Sequence, residues 1–304
     1  MTEIEAFDPV PGRAEELAPG IRRILAPNPS PMTFRGTNSY LLGRGQLALV
    51  DPGPDDQAHL GALMAALGGR PLSMILVSHA HRDHSGLAPA LAAATGAPVL
   101  AFGGPFSGRS ETMKRLAAVG ALGGGEGVDA TFRPDRCLAD GERLDLDGCP
   151  LEALHTPGHM GNHLAFAWRG ALFTGDLVMG WASSLVSPPD GDLAAFYRSC
   201  ARLRARGETV LHPGHGAPVA DPAARIDALV AHRRTREAQI LDALAAGPAA
   251  ITALTARIYH DTDPALHPAA ARNILAHLVE MTERNLVLAE PALAPDARFS
   301  LRHA

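Results

Sequence analysis

At 304 residues, 46% hydrophobic and 19% charged, the chain is excluded from the disordered class and reads as one large globular body with a smaller appended unit. A formal net charge of -5, with Lys114 the sole lysine, is adverse to nucleic-acid binding, because neutralising phosphates normally supplies that affinity. No run approaches the roughly 20 apolar residues that cross a bilayer, residues 1–17 lack the basic start and apolar core of a secretory signal, and Cys137, Cys149 and Cys200 show no CxxC spacing, so the expectation is a cytoplasmic protein with reduced thiols and no membrane partner.

Ile21 to Leu25, Ser39 to Leu42 and Leu47 to Val50 read as successive strands, the last ending in Asp51-Pro52-Gly53. Leu60, Leu63, Met64 and Leu67 recur at helical spacing, and Gly68-Gly69 supplies the stop. The apolar run Met74 to Val77 then delivers Ser78-His79-Ala80-His81-Arg82-Asp83-His84. Three imidazoles and a carboxylate at the end of a buried strand are hard to explain as packing. The alternate residues His79 and His81 point the same way from an extended turn, while Asp83 and His84 fall beyond the bend, so one loop offers two metal-binding half-sites. Neutral imidazole with carboxylate suits Zn²⁺, with Fe or Mn accommodated in a mixed shell.

Leu87 to Ala94 continues as a helix and Val99 to Phe102 as a short strand, a rhythm that implies an α/β layered body. From Gly103 to Arg136 the pattern dissolves into a Gly-rich segment with Gly123-Gly124-Gly125 and a helix around Thr112 to Val119, which reads equally as an active-site flap or a surface insertion. A second block of strands follows at Arg143 to Leu146, Leu151 to Leu154, His163 to Trp168 and Ala171 to Thr174. Strand ends abut His155-Thr156-Pro157-Gly158-His159 and Thr174-Gly175-Asp176, and after a helix over Leu193 to Arg204 the strand Thr209 to Leu211 runs into His212-Pro213-Gly214-His215-Gly216. Repeated Pro/Gly turns that each end in His or Asp bring functional groups to one sheet edge. His212 reads equally as pocket lining or loop histidine, Trp181, Ser183 and Ser184 equally as metal-side or packing residues, and Arg198, Arg202 and Arg206 as a solvated helix face.

Beyond residue 221 the elements are helical: Ile226 to Leu244, a short helix through Ile251, Leu254 and Ile258, and a third through Ile274, Leu275, Leu278 and Met281. Val287-Leu288 and Arg298 to Leu301 pair as a wing, which completes a winged-helix pattern. The expected division is 1–221 for the catalytic body and 222–304 for this small C-terminal domain.

Taken together, Asp51, SHAHRDH, TPGH, TGD and PGHG resemble the five ordered motifs of the metallo-β-lactamase superfamily over roughly residues 20 to 220. The resemblance implies an αββα sandwich, fold class α/β, with a two-metal site along one edge. On that pattern His79, His81 and His159 hold one metal, Asp83, His84 and His215 the other, and Asp176 bridges them. Asp51 braces the histidine loop, His155 and His163 support the ligands, and catalysis rests on Asp83, Asp176 and His215. The family's true lactamases usually place Cys where Asp176 stands, which argues against antibiotic hydrolysis.

A closer likeness spans nearly the whole chain. Gly36-Thr37-Asn38-Ser39-Tyr40-Leu41, SHAHRDHSG, HTPGH followed by His163, PGHG, and His232-Arg233 with Arg236 to Leu241 are similar to the β-lactamase-like endoribonucleases of animal mitochondria and their bacterial relatives. His212 departs from the aromatic residue expected there, and Trp181 to Asp190 has its own sequence. The implied activity is a dinuclear zinc hydrolase whose two ions share a water and cut single-stranded RNA. Against RNA, nine Arg meet nine Asp plus Glu in residues 222–304, and aromatics for base stacking make up 5% of the chain. The alternative substrate is a small thioester, ester or lactone, as in glyoxalase II, with the C-terminal domain serving as lid or homodimer contact.

Overall fold

Strands buried along their whole length, such as Asn38–Leu42 and Leu47–Val50, need cover on both faces, and helices supply it on one face and a second sheet on the other. The computed structural model describes residues 7–120 and 127–302. The Gly123-Gly124-Gly125 run lies outside the described residues.

In chain order the first half gives β1 (Ala14–Ala18), β2 (Ile21–Leu25), β3 (Asn38–Leu42), β4 (Leu47–Val50), α1 (Gln57–Leu67), β5 (Leu72–Leu76), α2 (Arg82–Ser85), α3 (Ala88–Thr95), β6 (Val99–Ala101), α4 (Glu111–Val119) and β7 (Arg136–Cys137). The seven strands form one sheet in sequential order, antiparallel from β1 to β4 and parallel from β4 to β7. The second half gives β8 (Arg143–Leu146), β9 (Cys149–His155), β10 (Leu164–Trp168), β11 (Ala171–Gly175), α5 (Leu193–Arg204) and β12 (Val210–Pro213). These five strands order as β12-β11-β10-β9-β8, with only the β11–β12 pair parallel.

The inner faces meet in a core of Tyr40, Leu42, Val50 and Leu76 from the first sheet against Leu151, Leu164, Phe166 and Phe173 from the second. Leu63, Leu67 and Leu91 cover the outer face of the first sheet, and Leu193, Phe196 and Leu203 that of the second. This is the expected αββα sandwich. β1 and β7 lack an apolar signature, being mostly exposed edge strands, and sequence periodicity passes over them.

The C-terminal part comprises α6 (Pro222–Ala245), β13 (Ala249–Ala250), α7 (Ile251–Ile258), α8 (His267–Glu283), β14 (Val287–Glu290) and β15 (Arg298–Leu301). The wing is a three-stranded sheet, β13-β15-β14, because the short β13 adds to the expected hairpin. Asp221 caps α6, its carboxylate accepting from the Ala224 N–H. Ile226 and Leu229 near the start of α6 pack beside α5, whereas Ile240, Ala243 and Leu244 near its end join the C-terminal core. Met113 and Leu116 of α4 also enter that core, which ties the long 103–136 segment to the C-terminal helices. Among the described residues no helix is long and apolar enough to cross a membrane.

Candidate metal centre

β4, β5, β9, β11 and β12 all end toward one edge, and each is followed by a turn that carries His or Asp. Asp51, one residue past β4, accepts from the Ser78 N–H at 2.7 Å, the Ser78 hydroxyl at 2.8 Å and His84 Nδ1 at 2.9 Å. Those three bonds offset the cost of its left-handed backbone, φ 54°. Since Ser78 Oγ donates to Asp51, it accepts from His79 Nδ1 at 3.0 Å. His159 Nδ1 donates to the Leu185 carbonyl at 2.7 Å, and His215 Nδ1 to the Gly36 carbonyl at 3.1 Å. Four imidazoles thus spend their one proton outward and turn an Nε2 lone pair inward.

These lone pairs converge in two groups. His79 Nε2 and His159 Nε2 lie 2.9 and 3.0 Å from His81 Nδ1, a meeting of three ring nitrogens that one shared proton cannot satisfy. His84 Nε2 lies 3.4 Å from both Asp83 Oδ2 and Asp176 Oδ1, and His215 Nε2 3.2 Å from Asp83 Oδ2 and 3.4 Å from Asp176 Oδ2. Asp176 also faces the first group, its Oδ2 3.7 Å from His159 Nε2. The donor atoms of His79, His81, His159 and Asp176 lie within 4.8 Å of one another, as do those of Asp83, His84 and His215.

The electrostatics point the same way. Burial holds His79 well below the usual imidazole range and His81 down to about 3, with neighbouring imidazoles adding to the effect. Burial opposes the charge on His84 and His215, but the carboxylates outweigh it, raising His84 well above the usual range and His215 to about 9. Burial likewise pushes the Asp83 and Asp176 carboxyls up, yet the facing imidazoles hold both well below the carboxylate range. The second group therefore demands positive charge among ionised acceptors. His84 Nε2 and Asp176 Oδ1 are buried without a hydrogen-bond partner. Gly214 leaves the ligands their room: a Cβ there would stand 2.5 Å from Asp176 Oδ1 and 2.6 Å from His84 Cε1. Aligned lone pairs, fixed tautomers and unpaired buried acceptors fit divalent metal, which these seven residues would hold.

The other sequence-predicted residues scatter. His163 is buried beneath the site, its ring 5.3 Å from that of His79 and its Nδ1 2.9 Å from Thr156 Oγ1. His155 stacks on Phe102 at 3.7 Å and reaches the Gly161 carbonyl at 2.9 Å, without a hydrogen bond to any of the seven ligand candidates among the described residues. His212 is core, stacked on Phe173 at 5.2 Å, and burial lowers it to about 4. Trp181 stacks on Phe34 at 5.1 Å, and Ser184 Oγ donates to the Leu177 carbonyl at 2.6 Å. Arg202 and Arg206 are not merely solvated, since they pair with Asp140 and with Glu152 and Glu208.

Residue-level reading missed the supports. Asn38 Nδ2 donates to the Pro213 and Gly216 carbonyls at 3.0 and 2.9 Å, and Tyr40 Oη to the Pro213 carbonyl at 2.7 Å, so β3 anchors the turn that presents His215. The carbonyls of Leu185 and Gly36 carry no sequence signal at all, because any residue offers one.

His81, Asp83, His159, Asp176 and His215 open on a cavity of about 320 Å³, whose wall includes Met32, Leu185, Ser187 and, from α8, Arg272. A larger hollow of about 810 Å³ beside Phe7, Arg13 and Arg23 shares no residue with it.

Residues 32–215 match the metallo-beta-lactamase superfamily, and residues 251–293 match the beta-lactamase associated winged helix domain. The beta-lactamase-like protein 2 homolog of Drosophila melanogaster is 30% identical over 278 residues, covering 87% of this chain and 88% of the fly protein. An atrochrysone carboxyl ACP thioesterase of Aspergillus fumigatus is 28% identical over 236 residues, 75% of this chain and 66% of that one. The crystal structure of a metallo-beta-lactamase family protein from Thermus thermophilus superposes with a TM-score of 0.75 at 29% identity, covering 94% of this chain and 100% of that chain. With the motifs in place along one sheet edge and the match spanning more than half of its length, the chain belongs to the metallo-beta-lactamase superfamily, a family of metal-dependent hydrolases.

Proposed function

We propose that this chain hydrolyses small thioesters or esters, using two divalent ions held by His79, His81 and His159 and by Asp83, His84 and His215, with Asp176 shared. Zn²⁺ suits this imidazole and carboxylate set, and Fe or Mn is accommodated by the same donors. The cytoplasm, with its acyl thioesters, is the setting this reading implies.

The observation that carries the substrate class is the cavity: about 320 Å³, small-molecule sized, and reached from the C-terminal α8 by Arg272. In a winged helix the third helix is the one that would enter a nucleic-acid groove. Here eight consecutive residues of α8, Ile274 to Met281, are buried. Packed in this way, α8 is not free to enter a groove, and the C-terminal part contributes Arg272 to the cavity lining. The thioesterase name of the fungal relative supports the same reading. The endoribonuclease reading rests on the likeness to its family, and residues 222–304, with nine Arg against nine Asp plus Glu, bring no net positive charge to it.

Two cations in this donor set supply a more acidic water and a polarised carbonyl. The protein's own residues do the rest. Asp83 and Asp176, held ionised, accept hydrogen bonds from water in the cavity and orient its lone pair. Leu185, Ser78, Asp51 and Gly36 keep the imidazoles from turning, so the site needs little reorganisation as charge develops on the carbonyl oxygen.

The test compares acyl thioesters of N-acetylcysteamine with an unstructured labelled RNA, using zinc-loaded protein and Asp176→Asn prepared identically. Thioester turnover that disappears in the variant, with RNA left intact, is the expected result. Variant-sensitive RNA cleavage without thioester turnover would restore the endoribonuclease reading.

A further inference from the structure

Arg109 is taken by Asp190, itself on the cavity wall. Arg272 is different. It stands on α8, half-buried, and lines the same cavity as Asp83, His81 and Asp176. Among the described residues it has no hydrogen-bond acceptor and no carboxylate within ion-pair distance, and its Nε is withdrawn from water without a partner. Its neighbour Asn273 is already engaged, accepting from Arg233 Nη1 at 2.9 Å. The terminal amino groups, which are not withdrawn from water and have no acceptor among the described residues, are the donors that a partner arriving with the substrate can reach.

We infer that Arg272 anchors the substrate's own anionic group: the cavity takes an acyl compound bearing a carboxylate or a phosphate away from the scissile bond. The planar fork of a guanidinium matches both groups, two N–H donors to two oxygens. Because the cavity is small, the anion and the scissile carbonyl are held together, and the C-terminal part becomes the element that selects the substrate. The inference rests on the hydrolase reading of the metal centre. A competing role is local: Arg272 simply offsets the charge of Asp83 and Asp176, in which case removing it alters metal binding and leaves ligand selection alone.

Calorimetric titration of the metal-loaded protein separates these. Two probe pairs differ by one anion each: glutaric acid monomethylamide against the neutral bis-methylamide, and pantetheine 4′-phosphate against pantetheine. The parent is expected to bind the charged member of one pair about ten- to a hundredfold more tightly, the usual range for a hydrogen bond to a charged group. Arg272→Met should erase that preference while the neutral probe's Kd and the metal content stay unchanged, and Arg272→Lys should keep part of it. A preference confined to the amide pair identifies a carboxylate, and one confined to the pantetheine pair a phosphate. The inference is overturned if the parent shows no preference, if the preference survives in Arg272→Met because the anion sits on the metals, or if metal content falls with the arginine. Should the preference collapse as expected in a protein that turns over no thioester, the anion site stands and the hydrolase reading falls.

Discussion

At the scale of single residues, proton placement organises the centre. Each Nδ1 of His79, His84, His159 and His215 has an outward hydrogen-bonding partner, so the inward nitrogen is a lone pair whichever ion arrives. Asp83 is the least protected of the seven donors, one of the two that are not fully buried, and its Oδ2 faces His84 and His215 only. Asp83→Ala should therefore lower the metal content from about two ions per chain to about one and abolish turnover, because a three-donor group loses its charged member. Metal analysis of the dialysed variant checks this. Two retained ions with full activity would remove Asp83 from the ligand set.

At the scale of elements, α6 does the joining. Its 24 residues span roughly 36 Å, long enough to pack Ile226 and Leu229 beside α5 and Ile240 and Leu244 into the C-terminal core. Midway along it, Arg233 is only 3% exposed, donating to the Ser184 carbonyl and to Asn273, with its guanidinium 5.6 Å from the Phe196 ring centroid. The next residue, Leu185, supplies the carbonyl that orients His159. Arg233→Met should cost about 2–3 kcal/mol of stability, the loss of buried hydrogen bonds from a charged donor. It should also weaken metal binding at His159, which urea unfolding and chelator competition measure separately. Unchanged metal affinity beside lowered stability would show that another contact holds the 184–185 turn. Because α6 and α4 both share the C-terminal core, a cut at residue 221 would expose apolar surface on the catalytic body, and the proposed 222–304 unit is better regarded as docked than as a free module.

At the scale of the whole molecule, buried neutral histidines set the acid response. His277 lies in α8 with no exposure, both ring nitrogens without partners, and burial together with Arg233, Arg236 and Arg234 lowers it to about 3. The unfolded chain takes up a proton near the ordinary value of about 6.5 and the folded chain does not, so this residue's contribution is complete above that value and is lost as pH falls toward about 3. Relative to His277→Leu, the parent should lose about 1.4 kcal/mol for each pH unit below the ordinary histidine value. Urea midpoints of the two proteins between about pH 8 and about pH 5 read that difference directly. Parallel curves would mean that His277 is protonated in the folded state.

By itself the sequence determined a layered α/β body and the strand-end turns, because strand periodicity and the His/Asp turns are local properties of the chain, and its likeness to a family pointed to the sandwich and to the seven candidate donors that the structure brings together. It also marked Asp51 as the brace of the histidine loop, through likeness to a family. It could not separate His163, which lies against His79, from His155, which does not, since His155 closes a strand, His163 leads into the next, and neither position tells which way the ring turns. Only the tertiary structure decided which backbone carbonyls fix the imidazoles, that α4 belongs to the C-terminal core, and that α8 turns Arg272 into the cavity. The physical reason is contact distance along the chain: Arg272 shares a wall with His81 across nearly two hundred residues, and no local pattern encodes a meeting that packing alone enforces.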